Sequence, residues 1–158
     1  MFCSNEIIDV KLLNREIRNV HLVKPLKNKF GPYRVLDVDV TPDYKELKSY
    51  VERAKKFYGM TGKIRDPFFK IKGRWWIELK DREAYSEPMI GTLKQTLYAQ
   101  LRTDEIDGNI LEGDVAVKLI KWKFGDRQGF SWKMTDFYFR SIKEIILKES
   151  QETPKIQF

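Results

Sequence analysis

The sequence predicts a β-rich α+β domain, a small barrel-like sheet with two added helices. Apolar and polar residues alternate over several segments, which is typical of strands that bury one face. Two other segments repeat their apolar residues at helical spacing. Near the C-terminus, two runs rich in aromatic and β-branched residues, 115–124 and 130–140, are joined by a link that contains Gly and Asp. That combination predicts a β-hairpin.

A chain of 158 residues with 42% hydrophobic residues can bury a core without disulfides or metals. We assign residues 1–149 to one domain and residues 150–158 to a mobile tail. Cys3 is the only cysteine and His21 the only histidine, so an internal disulfide and a His/Cys zinc site are excluded. We expect no metal and no cofactor. The sequence shows neither a secretory leader nor a membrane-spanning run, so we expect an intracellular protein that binds no membrane.

The charge is the first indication of a partner. The chain has 30 Lys and Arg against 23 Asp and Glu, a net charge of +7. This excess favours a polyanion such as nucleic acid.

The first half predicts strands followed by a helix. Segments 6–13 and 17–26 have the composition of extended chain, and 33–40 alternates strictly, with its aliphatic residues inward and Asp37 and Asp39 outward. The following helix is expected to start at Thr41 as N-cap with Pro42 next, and to end at Gly59. Its apolar stripe, which we expect to pack on the sheet, is Leu47, Tyr50, Val51, Ala54, Phe57 and Tyr58.

Residues 68–80 alternate as one strand, with Gly73 as a bulge. One face is expected to join the core; it carries Ile71, Trp75, Ile77 and Leu79. The opposite face combines cations with an indole, which suits a single-stranded nucleic acid because cations meet phosphates and the indole stacks on a base. That face carries Lys72, Arg74, Trp76, Glu78 and Lys80.

A second helix is predicted at 86–102, followed by an acidic connector and the C-terminal hairpin. In the hairpin, Val115, Val117 and Leu119 should share one face. Segment 141–149 could extend the sheet or form a short helix. The face expected for the last strand is Phe130, Trp132, Met134 and Tyr138.

Three stretches together resemble a known family: GPYRVLDVDV with the helix after it, DPFFKIKGRWWIELK, and EGDVAVKLIKWKF followed by GFSWKMTDFYFRSI. In order and pattern they are similar to the phage-encoded OB-fold single-stranded DNA-binding proteins of the T-odd coliphage replication-protein type. The resemblance implies a five-stranded OB-fold-like barrel. It also implies a protein that coats single-stranded DNA during viral replication and recombination, through a basic groove with stacking aromatics and without catalysis.

The resemblance implies the following site residues. Stacking candidates are Trp76, Trp122, Trp132, Phe124, Tyr33 and Phe69. Candidates for phosphate contact are Lys72, Arg74, Lys80, Lys121, Lys123, Arg127 and Lys133. Family members also carry an acidic tail that ends in an aromatic residue and contacts replication proteins. Here Phe158 keeps the aromatic, but the tail is short and barely acidic.

Two other functions are compatible with the sequence. Asp66, Glu78 and Lys80 resemble the carboxylates and lysine of the PD-(D/E)xK nucleases, in which a helix carboxylate such as Glu46 or Glu52 would complete a metal site. Alternatively, the aromatic and basic surface could belong to a protein-interaction module. The sequence leaves self-association and the choice between DNA and RNA open.

Overall fold

The computed structural model describes residues 9–82 and 107–146. The predicted helix 86–102, the tail and Phe158 lie outside these ranges. Within the ranges the chain forms six strands and one α-helix, in the order β1 Asp9–Asn28, β2 Gly31–Asp39, α1 Tyr44–Phe57, β3 Phe69–Ile71, β4 Arg74–Arg82, β5 Ile110–Phe124 and β6 Arg127–Glu144.

Five of these strands close into a barrel. β1 pairs antiparallel with β2 and with β5, β2 pairs with β4, and β5 pairs with β6. A parallel contact between β4 and β6, at Leu79 and Trp132, completes the ring. β3 is an added edge strand on β4. This order is that of the OB fold, so the predicted β-rich α+β domain with an OB-like barrel is confirmed.

The barrel interior is filled by the aliphatic positions that alternation predicted. Leu36, Val38 and Val40 are fully buried, as are Ile77 and Leu79. The helix α1 contributes part of its predicted stripe to the same core, while Phe57 and Tyr58 at its end are 39% and 37% exposed. The helical residues buried in this core are Leu47, Val51 and Ala54.

The helix start differs from the prediction. A 3-10 turn, Thr41–Asp43, precedes α1, and no side chain caps the helix. The hydroxyl of Thr41 instead donates to Asp39 Oδ1 over 2.6 Å and accepts from the Trp75 amide over 2.9 Å. Thr41 therefore joins β2 to β4, and the predicted cap is wrong because that contact already uses its hydroxyl.

The segments 6–13 and 17–26 belong to one bent strand where the structure describes them. Asn14 and Asn19 in β1 have φ of 57° and 53°, and the register with the neighbouring strands shifts beside each of them. Such irregularities bend a strand so that it can pair on both sides of a small barrel.

Residues 68–80 form a hairpin instead of a single bulged strand. Lys72 and Gly73 have φ of 50° and 80° and make the two-residue turn between β3 and β4. Positive φ at both central residues is the geometry of a tight hairpin turn. The predicted inward position of Ile71 is wrong, because it lies on the edge strand and is 49% exposed.

The C-terminal hairpin is present and longer than predicted. Its turn is only Gly125 and Asp126. Farther along, Ala116 pairs with Asp136 while Val117 pairs with Met134, which leaves Thr135 unpaired and reverses the alternation of β6.

This bulge corrects one predicted face. Phe130, Trp132 and Met134 point inward as expected, but beyond Thr135 the inward residues are Phe137 and Phe139. Tyr138 is consequently 55% exposed.

Candidate nucleic-acid interface

A groove of 1020 Å³ opens at the surface of the barrel, lined by residues of β2, β4, β5 and β6 and by segment 65–69. Its charged residues are three cations and three carboxylates, and its remaining wall is largely aromatic. The lining residues are Asp37, Arg65, Asp66, Pro67, Phe68, Phe69, Glu78, Lys80, Ile120, Trp122, Phe130, Ser131, Trp132 and Lys133.

Segment 65–69 is fastened to the barrel by a backbone bridge to β6. The Arg65 amide donates to the Gln128 carbonyl over 2.9 Å, and the Phe130 amide donates to the Arg65 carbonyl over 3.4 Å. Gly129 lies between these two β6 residues, and a Cβ there would meet the Arg65 carbonyl at 2.8 Å and the Trp122 ring at 3.0 Å. The missing side chain thus lets Arg65 and Trp122 both lie close to β6 at Gly129, in the wall of the groove.

Five predicted site residues line this groove. Lys80 stands at the β2 side, with its ammonium 4.9 Å from the ring of Tyr33, another predicted residue. Trp122 is half-buried and Lys80 is exposed, so both can meet a ligand. The five are Phe69, Lys80, Trp122, Trp132 and Lys133.

Two of the predicted stacking residues are buried. Trp132 is 3% exposed and packs edge-on against Phe68 in the core. Trp76 is 5% exposed, with the guanidinium carbons of Arg18 and Arg74 lying 5.6 Å and 4.9 Å from its ring centroid. A ring buried to this degree presents no face to a base, so the stacking role predicted for these two tryptophans does not fit the structure.

The turn of the β5–β6 hairpin carries predicted residues beyond the end of the groove. Phe124 is 73% exposed, and Lys123 and Arg127 beside it are exposed as well. Lys121 lies one step closer to the barrel, with its ammonium 4.9 Å from the ring of Tyr58. We call Lys121 and residues 123–127 the β5–β6 tip.

The turn between β1 and β2 has a similar surface, and none of its residues is among the site residues predicted from the sequence. Phe30 is 65% exposed, the Lys29 ammonium lies 5.0 Å from its ring, and Lys27 is exposed nearby. We call residues 27–30 the β1–β2 tip. The sequence KNKFGPY could have indicated this surface, because a turn that contains lysines and an aromatic residue places cations and a ring in solvent.

The two tips lie at opposite ends of the groove. The β1–β2 tip extends beyond Tyr33, which pairs with Arg82 at the end of β4. The β5–β6 tip lies beyond the start of β6, and because β6 runs parallel to β4, this is the end where β4 begins. The groove therefore runs between two exposed aromatic and basic turns.

The remaining predicted cations, Lys72 and Arg74, are at the β3–β4 turn. Lys72 is exposed. Arg74 forms ion pairs with Asp39 and, over 3.1 Å, with Glu16, so its guanidinium is already engaged within the protein. Its geometry favours a structural role over phosphate contact.

Two carboxylates face each other across the floor of the groove. Asp37 of β2 pairs with Glu78 of β4. Burial raises the pKa of the Asp37 carboxyl, a hydrogen bond from Asn19 lowers it, and repulsion by Glu78 raises it further, with a raised pKa as the result. Glu78 itself lies 3.8 Å from the Lys80 ammonium. The groove thus holds two adjacent carboxylates with Lys80 beside one of them, and further cations lie at the tips.

The residues of the nuclease alternative are Asp66, Glu78 and Lys80, and all three line the groove. Asp66 is paired with Lys48 over 3.6 Å. Among residues 9–82 and 107–146, no three His, Cys, Asp or Glu side chains are grouped as metal ligands. No helix in the same ranges is long and apolar enough to cross a bilayer.

No protein-family model matches the chain, and no curated protein sequence is significantly similar to it. Solved structures are similar in fold. A C-terminally truncated single-stranded DNA-binding protein from bacteriophage Enc34 matches with a TM-score of 0.61 and 13% identity, over 87% of this chain and 88% of that one. The Enc34 protein in complex with single-stranded DNA matches with a TM-score of 0.54 and 13% identity, over 87% and 89%. The single-stranded DNA-binding protein gp2.5 of bacteriophage T7 matches with a TM-score of 0.55 and 10% identity, over 95% and 94%.

Proposed function

We propose that this protein binds single-stranded DNA in the groove between its two tips, without catalysis, and coats the strand during viral replication and recombination. The observation that carries the proposal is the placement of exposed aromatics and cations at both ends of a groove on the OB barrel. OB folds bind oligonucleotides on this face, between the loops that correspond to the two tips. The similarity in fold to phage single-stranded DNA-binding proteins, one of them in complex with DNA, supports it.

The physical basis of binding is stacking combined with phosphate neutralisation. Phe124, Phe30 and the half-buried Trp122 offer aromatic surface that accepts any base. The lysines and arginine of the tips neutralise phosphates and release counterions, so binding should weaken as salt rises. The interior of duplex DNA keeps its bases stacked and out of reach of such rings, so the single strand is preferred.

The proposal is tested by titrating intrinsic tryptophan fluorescence with an oligo-dT and with duplex DNA, at two salt concentrations, with and without Mg²⁺. We expect quenching by the single strand alone, weaker at high salt and unchanged by Mg²⁺. Because Trp122 is the tryptophan that is both half-buried and in the groove wall, Trp122→Phe should remove most of the quenching.

The matched control is Trp75→Phe. Trp75 stacks on Tyr44 with ring centroids 4.0 Å apart and does not line the groove, so this variant should keep the quenching. Absence of quenching by either DNA would reject the proposal in favour of an interaction module. Shortening of the DNA only in Mg²⁺ would instead favour the nuclease.

Contacts with replication proteins through Phe158 and self-association remain predictions from the sequence.

A further inference from the structure

The floor of the groove is acidic, which constrains how a strand can lie in it. Asp37 and Glu78 form a cross-strand pair, and directly opposite residues of neighbouring strands have their Cβ atoms about 5 Å apart. A phosphate placed over this pair would be repelled by both carboxylates. Arg65, Lys80 and Lys133 in the groove lining, and the lysines and arginine of the tips, offer phosphates cations instead. A bound strand is therefore oriented with its phosphates toward these cations and its bases toward the two carboxylates.

The floor also has hydrogen-bond acceptors to offer. Asn19 donates to Asp37 Oδ2 over 2.6 Å, and no other side chain in the described ranges donates to this carboxylate. Asp37 is 8% exposed, so the surrounding residues hold it in place, and it lines the groove. Glu78 is half-exposed, and its loose contact with Lys80, at 3.8 Å, leaves it able to accept further hydrogen bonds.

An ionised carboxylate accepts hydrogen bonds and donates none. Cytosine presents an amino donor where uracil and thymine present a carbonyl acceptor, and acidic side chains accept from the cytosine amino group in protein–DNA complexes. A carbonyl oxygen placed against Asp37 or Glu78 would meet repulsion between two acceptors.

From this geometry we propose that Asp37 and Glu78 make the groove selective for bases with exocyclic amino groups, so that cytosine is bound in preference to uracil or thymine. This rests on the proposed function, since it assigns a base preference to the same groove. It makes the two carboxylates specificity determinants and leaves affinity to the aromatics and cations.

The test compares a cytosine-only with a uracil-only oligodeoxynucleotide of equal length, labelled for fluorescence anisotropy, at one salt concentration and neutral pH. The two bases differ in the group that would face the carboxylates and share their size. We expect the native protein to bind the cytosine strand about fivefold more tightly.

Glu78→Gln should lower that preference to within about twofold, because the amide can donate to the uracil carbonyl as well as accept from the cytosine amino group. It should also tighten binding of both strands, since a negative charge is removed. Glu78 is exposed, so this variant is expected to fold, and a thermal melt verifies it.

The matched control is Glu144→Gln, which removes the same charge from an exposed position of β6 that does not line the groove. It should leave the cytosine preference at its native value. Equal affinities of the native protein for the cytosine and uracil strands would overturn the inference, as would a ratio of affinities that Glu78→Gln does not change. Either result would leave single-stranded DNA binding intact. Failure to bind either strand would reject the proposed function itself.

Discussion

At the scale of single residues, the absence of a side chain at Gly129 shapes the groove wall as much as the aromatic residues do. A Cβ there would lie 2.8 Å from both the Cβ and the carbonyl oxygen of Arg65 and 3.0 Å from the Trp122 ring. Because the backbone of Arg65 is hydrogen bonded on either side of Gly129, it cannot withdraw without breaking the bridge. Gly129 is thus required by a close approach of two backbones.

We therefore expect Gly129→Ala to destabilise the fold by about 1–3 kcal/mol, as overpacking does, and to displace Trp122. Urea denaturation measures the first effect, and the tryptophan emission maximum of the folded protein measures the second. Thr135→Ala is a suitable control, since Thr135 lies exposed on the same strand. If Gly129→Ala leaves stability and the emission maximum unchanged, segment 65–69 can shift to make room for the added methyl group, and the expected clash does not occur.

At the scale of elements, the β1–β2 and β5–β6 hairpins each present an exposed turn at one end of the groove. The β5–β6 tip combines Phe124 with Lys123 and Arg127, all exposed. The cations are held apart from the acidic floor, so their field is available to phosphates. Under the proposed function, this turn contributes affinity without reading sequence.

Replacing both cations, as Lys123→Gln with Arg127→Gln, should weaken single-stranded DNA binding by roughly an order of magnitude at low salt. The slope of log affinity against log salt should become shallower by about 1.4, because each lost phosphate contact on a single strand accounts for about 0.7. Binding isotherms at several salt concentrations measure both quantities.

The control for this experiment is Lys11→Gln with Lys45→Gln, which removes the same net charge from two exposed residues outside the groove and its tips. An identical change of slope in the control would mean that net charge alone, and not the β5–β6 tip, determines the salt dependence.

At the scale of the whole molecule, one ion network joins four of the five barrel strands. Glu16 of β1 accepts from Lys143 of β6 over 2.8 Å and from Arg74 of β4 over 3.1 Å, and Arg74 is paired with Asp39 of β2. Arg18 adds a further bond to Glu16 over 2.5 Å. Burial by itself would raise the pKa of Glu16, but the hydrogen bonds from Lys143, Arg74 and Arg18 lower it to about 2.

A carboxyl whose pKa is lowered in the folded state stabilises that state at a pH above its unfolded value and loses this contribution as the pH falls. The stabilising contribution of Glu16 should be lost as the pH falls from about 4.5, the ordinary pKa of Glu, to about 2. It should amount to on the order of 3 kcal/mol in the free energy of unfolding. Asp39 and Asp114, whose pKa values are also lowered, add to the same acid sensitivity.

Chemical denaturation across this pH range measures the effect. Glu16→Gln should reduce stability at neutral pH and flatten the decline in acid, whereas Glu144→Gln, at an exposed position, should leave the decline as in the native protein. If the free energy of unfolding of Glu16→Gln falls in acid as steeply as that of the native protein, the network does not stabilise the barrel.

The sequence by itself determined the fold class, the positions of most strands, the first helix and the resemblance to an OB-fold family. These depend on local patterns: alternation decides which side of a strand is apolar, and turn residues decide where the chain reverses. The aromatic and basic hairpin was recognisable for the same reason. The second predicted helix and the tail lie outside the part of the chain that the structure describes.

Only the tertiary structure decided which aromatic residues a ligand can reach. Trp76 and Trp122 both lie in predicted strands with lysines or arginines nearby in the sequence. In the structure Arg18 and Arg74 cover the ring of Trp76, whereas Trp122 lies in the groove wall. The bulge at Thr135 reversed the faces of β6, and barrel closure brought Asp37 and Glu78 together on the groove floor. Exposure and charge at a site depend on contacts between residues far apart in the chain, and the local periodicity of the sequence does not predict such contacts.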